Sequence, residues 1–272
     1  MIDFTKYRIV DITPRLVGRL KKLDGTIVEG GRDVMGLPWL LQERRTVDMD
    51  DSAFTALGGW DDDPVFPGWS VNAHFGLHTE GGIGHIGHWE GLPDTMKGLW
   101  DYPIDSFMGP AAVCDLTPVK PVAVQEGEEK ADVADYHNKD KAKDEKAVMR
   151  GQAIKPEHLS NVQEGDIVLM WSPYRGAEQP YLPAETAEWL AQMKIKMLAV
   201  QMPGVKWDTA PRAEPPNNSP THRNLLGNNI AITYPLANLE QLTQDRVIYI
   251  GLPLCVENMD ASWVRAIALE EL

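Results

Sequence analysis

Residues 73–89 read AHFGLHTEGGIGHIGHW and hold four of the seven histidines in this 272-residue chain. Side chains alternate faces along an extended strand, so a strand over 74–80 puts His74, Gly76, His78 and Glu80 on one side. Gly76 then leaves room between two imidazoles and a carboxylate. That donor set suits Zn, Mn or Fe(II) sites that keep positions open for water and substrate. A helix would also bring His74 and His78 together at i, i+4. Gly76, Gly81, Gly82, Gly84 and Gly87 argue against it, because glycine weakens a helix and suits a loop whose backbone approaches a ligand closely. The bland alternative is a Gly/His-rich loop of incidental composition, which leaves the one-face pattern unexplained.

Working outward, the runs Tyr7–Ile12, Ala112–Thr117, Asp166–Trp171, Met197–Gln201, Arg246–Leu252 and Val264–Ala268 are apolar and rich in β-branched residues, and each is predicted as a strand. Between two of them, LPAETAEWLAQMKIK (182–196) predicts an amphipathic helix. Pro183 falls in its first turn, and Ala187, Leu190, Ala191 and Lys194 share one face. The alternation implies a mixed α/β fold dominated by strands. No repeat or linker marks a boundary, so residues 1–272 are read as a single domain. Gln125–Arg150 carries eight acidic and six basic residues in 26, too much charge to join a core. It is expected to be a charged surface insertion, either a solvated helix or a mobile loop.

The chain has 26 basic and 40 acidic residues, a net charge of −14. With no basic patch to neutralise phosphates, nucleic acid is excluded as a partner. No stretch approaches the roughly 18 apolar residues of a membrane span, and the opening MIDFTKYRIVDITPRL lacks the apolar region of a signal peptide. The expectation is a soluble, cytoplasmic protein without membrane contact. Cys114 and Cys255 lie in apolar contexts with no C-x-x-C spacing, and both are expected to be buried small hydrophobes.

The histidine stretch resembles the signature of the metal-dependent cyclase-like hydrolases, the family of bacterial kynurenine formamidases, isatin hydrolases and some polyketide cyclases. Their motif runs His-x-Gly-Thr-His-x-Asp-x-Pro-x-His. His74, Gly76 and His78 match it. Glu80 stands for the Asp, Leu77 for the Thr and Gly82 for the Pro, and the last His comes one residue late as His85. The likeness continues more loosely through YRIVDIT, GPAAVCDLT, EGDIVLMW, AEWLAQMKIKMLAVQ, THRNLLGNNIAITYPLANLEQL and IGLPLCVENMDASWVRAIAL, in the family's order.

The resemblance implies a swivelling β/β/α architecture and a hydrolase that attacks an amide, lactam, ester or lactone carbonyl of a small molecule with metal-activated water. His74, His78 and Glu80 would hold one divalent ion, Zn or Mn. A bound divalent ion lowers the pKa of its water from about 15.7 to near 7. His85 is the candidate general acid or base, with His88 competing for the role. Two-metal members add a later His and, twelve residues on, a Glu. Here these are His222 and Tyr234, and a neutral phenol is a weak ligand at neutral pH, so one ion per chain is expected. His222 and Tyr234 are then expected to hydrogen-bond the substrate or the bound water. Gln201, where relatives have Asp, is a further candidate substrate contact. Trp89, Trp171 and Trp207 are candidates for an apolar wall, with core packing as the alternative. His137 and His158 are expected at the surface. Analogy also implies a homo-dimer or homo-tetramer. The competing readings are a metal-dependent cyclase or lyase, and a metal-binding protein that has lost catalysis.

Overall fold

IVLMW (167–171) and MLAV (197–200) are apolar at successive positions, the pattern of strands covered on both faces. In the computed structural model they form the middle of a sheet. The structure describes residues 3–15, 20–21, 27–28, 53–55, 70–74, 76–82, 93–124, 133–135, 148–211, 220–257 and 259–272. The main strands are β1 (Tyr7–Asp11), β2 (His78–Glu80), β3 (Met108–Asp115), β4 (Ile167–Trp171), β5 (Met197–Gln201), β6 (Ala231–Leu236), β7 (Arg246–Gly251), β8 (Ala261–Trp263) and β9 (Ala266–Glu271). They build one nine-stranded sheet in the order β1, β9, β7, β3, β4, β5, β6, β2, β8. Strands β3 to β6 run parallel to one another, and antiparallel strands continue the sheet on both sides.

Alternation along the central strands divides the core in two. Val168, Met170, Leu198 and Val200 face one side, where helices α1 (Ala184–Gln192) and α2 (Pro220–Leu226) supply Ala187, Leu190, Leu225 and Leu226. Ile167, Leu169, Met197 and Ala199 face the other, against Val10, Ile12, Val247 and Tyr249. The mixed α/β, strand-dominated fold is therefore the observed one. Among the described residues no helix is long and apolar enough to cross a membrane.

Several local expectations change. Helix α1 is shorter than 182–196. Pro183 caps it in extended backbone, and Lys194 lies beyond its end with φ +50°, so Lys194 leaves the apolar face and pairs instead with Glu164 at 2.9 Å. The strand expected over 264–268 starts only at Ala266, as β9; Val264 and Arg265 link it to β8, and Arg265 reaches out to Asp11 at 2.7 Å. Within the charged insertion, Val133–Asp135 forms a short antiparallel pair with Thr209–Pro211, where a helix or loop was expected. Cys114 is buried, but Cys255 is exposed.

Candidate metal centre

Strand β2 lies between β6 and β8. In the antiparallel register His78 is opposite Tyr234 and Trp263, and Glu80 is opposite Ile232 and Ala261. Residues directly opposite share a face, so His78 and Glu80 project to the side of Tyr234. Thr79 projects the other way, where its hydroxyl lies 2.7 Å from Thr233 Oγ1. The strand expected over 74–80 is confined to His78–Glu80. Gly76 takes φ +65°, a left-handed conformation that glycine adopts without steric cost, and this turns the chain. His74 therefore arrives by a fold-back and not by strand alternation. Even so, its Nδ1 stands 3.2 Å from His78 Nε2 and 3.0 Å from Glu80 Oε1, while His78 Nε2 and Glu80 Oε1 are 3.5 Å apart.

The outer nitrogen of each ring is already committed. His78 Nδ1 lies 2.8 Å from the Gly76 carbonyl oxygen, and His74 Nε2 lies 2.7 Å from Asp260 Oδ2. Both partners are acceptors, so the outer nitrogens carry the protons. The inner nitrogens of the neutral rings then present lone pairs to each other and to Glu80. Three acceptors converging this closely call for a cation between them. Donors bound to one ion at about 2.0–2.1 Å stand roughly 2.8–3.4 Å apart in octahedral or tetrahedral arrays, close to the observed 3.0–3.5 Å. The donor set and its geometry fit a divalent metal ion held by His74, His78 and Glu80.

Asp260 was missed in the sequence. It lies 186 residues from His74, just ahead of β8, and its one local signal is a carboxylate in the largely apolar ending of the chain. It is 3% exposed. A carboxylate accepting from the far nitrogen of a ligating histidine fixes the tautomer and orients the ring, and losing such a partner typically costs 10–100-fold in metal affinity. Asp260→Asn is expected to weaken metal binding by about that factor while leaving the stoichiometry intact at saturating metal. Titration against a competing fluorescent chelator checks this, and unchanged affinity would contradict the role.

Both oxygens of Glu80 are held on the protein side. His222, from α2, places Nε2 2.9 Å from Glu80 Oε2, and the Tyr234 hydroxyl donates to Oε1. His222 and Tyr234, expected to hydrogen-bond the substrate or the bound water, are both joined to this carboxylate. Burial opposes ionisation of Glu80, but the hydrogen bond from His222 and, in the metal-free protein, that from protonated His74 hold its carboxyl well below the usual range. Burial, then the charge and hydrogen bond of Glu80, push the Tyr234 phenol well above its ordinary value, so it remains a neutral donor. Buried Asp208 adds negative charge and, with Glu80, raises His222 against the effect of burial. Trp207, fully buried, packs edge-on against His222 at 5.4 Å and tilted against Tyr234 at 4.7 Å, backing the cluster from within the core.

Gln201 is not brought into the cluster. Its amide donates to Glu240 Oε2 and its carbonyl accepts from Leu239 N, pinning the turn after β6. Trp171 packs on the opposite core face. His85, His88 and Trp89 lie outside the described residues.

Burial opposes the imidazolium of His74, yet hydrogen bonds to Asp260 and Glu80 raise its pKa from 6.5 to about 10. Without metal, a proton takes the cation's place. A pKa raised on folding adds stability that is complete below pH 6.5 and lost as pH climbs through about 10. Chelator-treated protein is therefore expected to melt at a lower temperature at pH 10 than at pH 6. Equal melting temperatures would contradict this.

The Cyclase family model matches residues 46–206, more than half of the chain and the whole His74–Glu80 segment. A comparison with curated proteins finds none that matches. Among solved structures, a potential metal-dependent hydrolase with cyclase activity shares the fold at TM-score 0.55 and 15% identity, over 98% of this chain and 99% of that one. Isatin hydrolase A from Labrenzia aggregata, bound to benzyl benzoate, is similar at TM-score 0.54 and 19% identity, over 98% and 95%. An isatin hydrolase bound to the product analogue thioisatinate is similar at TM-score 0.50 and 19% identity, over 98% and 94%. With the family's matched segment containing the candidate donors, and its fold shared along nearly the whole length, the chain belongs to the Cyclase family.

Proposed function

We propose that this protein is a metal-dependent hydrolase that opens an amide, lactam, ester or lactone bond of a small carbonyl compound. The observation that carries this reading is the convergence of His74 Nδ1, His78 Nε2 and Glu80 Oε1 with both outer ring nitrogens committed elsewhere. The isatin hydrolases and the metal-dependent hydrolase that share its fold support the same reading. When bound, a divalent ion, Zn or Mn, supplies Lewis acidity and makes water a usable nucleophile at neutral pH.

The remaining work falls to the chain's own side chains. Asp260 and the Gly76 carbonyl hold the two imidazoles in one tautomer. His222 and Tyr234 hold the Glu80 carboxylate at both oxygens, and Trp207 seals this cluster against water from the core side. His85 takes the proton from the attacking water and returns it to the leaving group, with His88 as the alternative. One ion per chain is expected, because Tyr234 brings a neutral phenol where a second cation needs a carboxylate. The chain acts on a small molecule as a cytoplasmic homo-oligomer.

The test is a panel of formanilides, lactams and aryl esters, assayed before chelation, after chelation and after metal is restored. Cleavage of any of them that stops on chelation and returns with metal is the expected result. Stoichiometric metal with no cleavage across the panel would overturn hydrolysis in favour of a cyclase, a lyase or a binding protein.

A further inference from the structure

Strand β2 carries two of the three candidate metal donors, yet nothing apolar in it fixes where it lies. Its three residues, His78–Glu80, are all polar and all buried. In a strand with one apolar face, a slip by one residue would turn that face to water, and this pins the register. In β2 the side chain turned to the core is Thr79. The same slip would drive His78 and Glu80 into that core and aim a hydroxyl at the ion. Pairing with β6 and with the equally short β8, over three residues each, supplies few backbone hydrogen bonds to oppose it.

A chain of side-chain hydrogen bonds opposes it instead. Thr79 lies across from Thr233 on β6 and Ser262 on β8, and all three are fully buried. Thr233 Oγ1 donates to Met197 Sδ at 3.1 Å. A thioether only accepts, so the single Thr233 proton is committed there, and Thr79 Oγ1 donates to Thr233 Oγ1 at 2.7 Å. This ties β2 through β6 to Met197 on β5, a further strand into the sheet. A slip by two residues would keep the faces but set Thr79 opposite Ala231 or Pro235. Neither has a side chain that accepts, and a buried hydroxyl left unpaired is costly. Ser262 offers no substitute, because its Oγ makes no hydrogen bond among the described residues.

We propose that Thr79 is a positioning residue for the metal centre: its hydrogen bond to Thr233 locks the register of β2 and with it the places of His78 Nε2 and Glu80 Oε1. This rests on the reading of His74, His78 and Glu80 as metal ligands. The test titrates chelator-treated protein with Co²⁺, which takes the same nitrogen and oxygen ligands as Zn²⁺ and whose visible spectrum reports coordination geometry, and melts the same preparations without metal. Thr79→Val is expected to bind Co²⁺ about 10–100-fold more weakly, the usual cost of disturbing what orients a metal ligand, with an altered spectrum. Thr79→Ser keeps the hydroxyl and is expected to restore both, and Ser262→Ala to leave both native. Thr233→Val removes the same bond from β6 and is expected to reproduce the loss, which decides the matter if Thr79→Val does not fold. Combining Thr79→Val with Thr233→Val leaves neither hydroxyl unpaired, so the melting temperature is expected to recover while Co²⁺ affinity stays low. Native affinity and spectrum in Thr79→Val and Thr233→Val would overturn the proposal, as would an equal loss in Ser262→Ala, or affinity that recovers together with stability in the double variant. Native protein that takes up no Co²⁺ would overturn the metal reading itself, and this proposal with it.

Discussion

His78→Ala is expected to strip the protein of most of its metal and of its activity. Disturbing only an outer partner of a metal ligand costs 10–100-fold in affinity, and removing one of three donors is expected to cost more than about 100-fold. The loss extends beyond one bond. His78 Nδ1 is tied to the Gly76 carbonyl and its ring stacks edge-on with Tyr234 at 4.5 Å, so its removal also loosens the turn that delivers His74 and the phenol that holds Glu80. His74→Ala is expected to behave alike. Elemental analysis of the purified variants checks both: native protein should hold about one equivalent per chain, and the variants far less. Full stoichiometry in both would sink the ligand assignment, and two equivalents in native protein would show that Tyr234 does not prevent a second ion from binding.

His85→Ala is expected to keep the metal and lose about 10²–10⁴-fold in turnover, the usual worth of a positioned general acid or base. Metal content and rate, measured on the same preparations, separate a proton carrier from a ligand. The motif resemblance places the last histidine one residue late, so His88→Ala is the necessary companion. Should His85→Ala lose metal while His88→Ala loses only rate, His88 is the acid or base and His85 belongs with the ligands.

The donor residues were legible because they lie close together in the chain. His-x-Gly-x-His-x-Glu compresses three metal-capable side chains into seven residues, and any backbone path that short keeps them neighbours. The path itself was misread as one continuous strand. Gly76 at φ +65° breaks it, and the pattern of residue types is the same for a strand and for a turn leading into one. The ring tautomers were out of reach for the same reason, since one depends on the carbonyl exposed by that turn and the other on a carboxylate far along the chain.

What the sequence by itself determined is local: which runs become strands, that apolar residues at every position of IVLMW and MLAV demand cover on both faces, that α1 buries Ala187 and Leu190, and which three residues can share an ion. Only the tertiary structure decided what surrounds those three. β8 sits beside β2 at one edge of the sheet, which brings Asp260 to His74 across 186 positions. β6 sits on the other side of β2 and sends Tyr234 to Glu80, while α2 sends His222 to the same carboxylate. Gln201, promising by its position in the chain, is turned to Glu240 and Leu239 instead. The physical reason is that hydrophobic periodicity records which face of an element is buried, whereas strand order follows from the packing of the whole sheet.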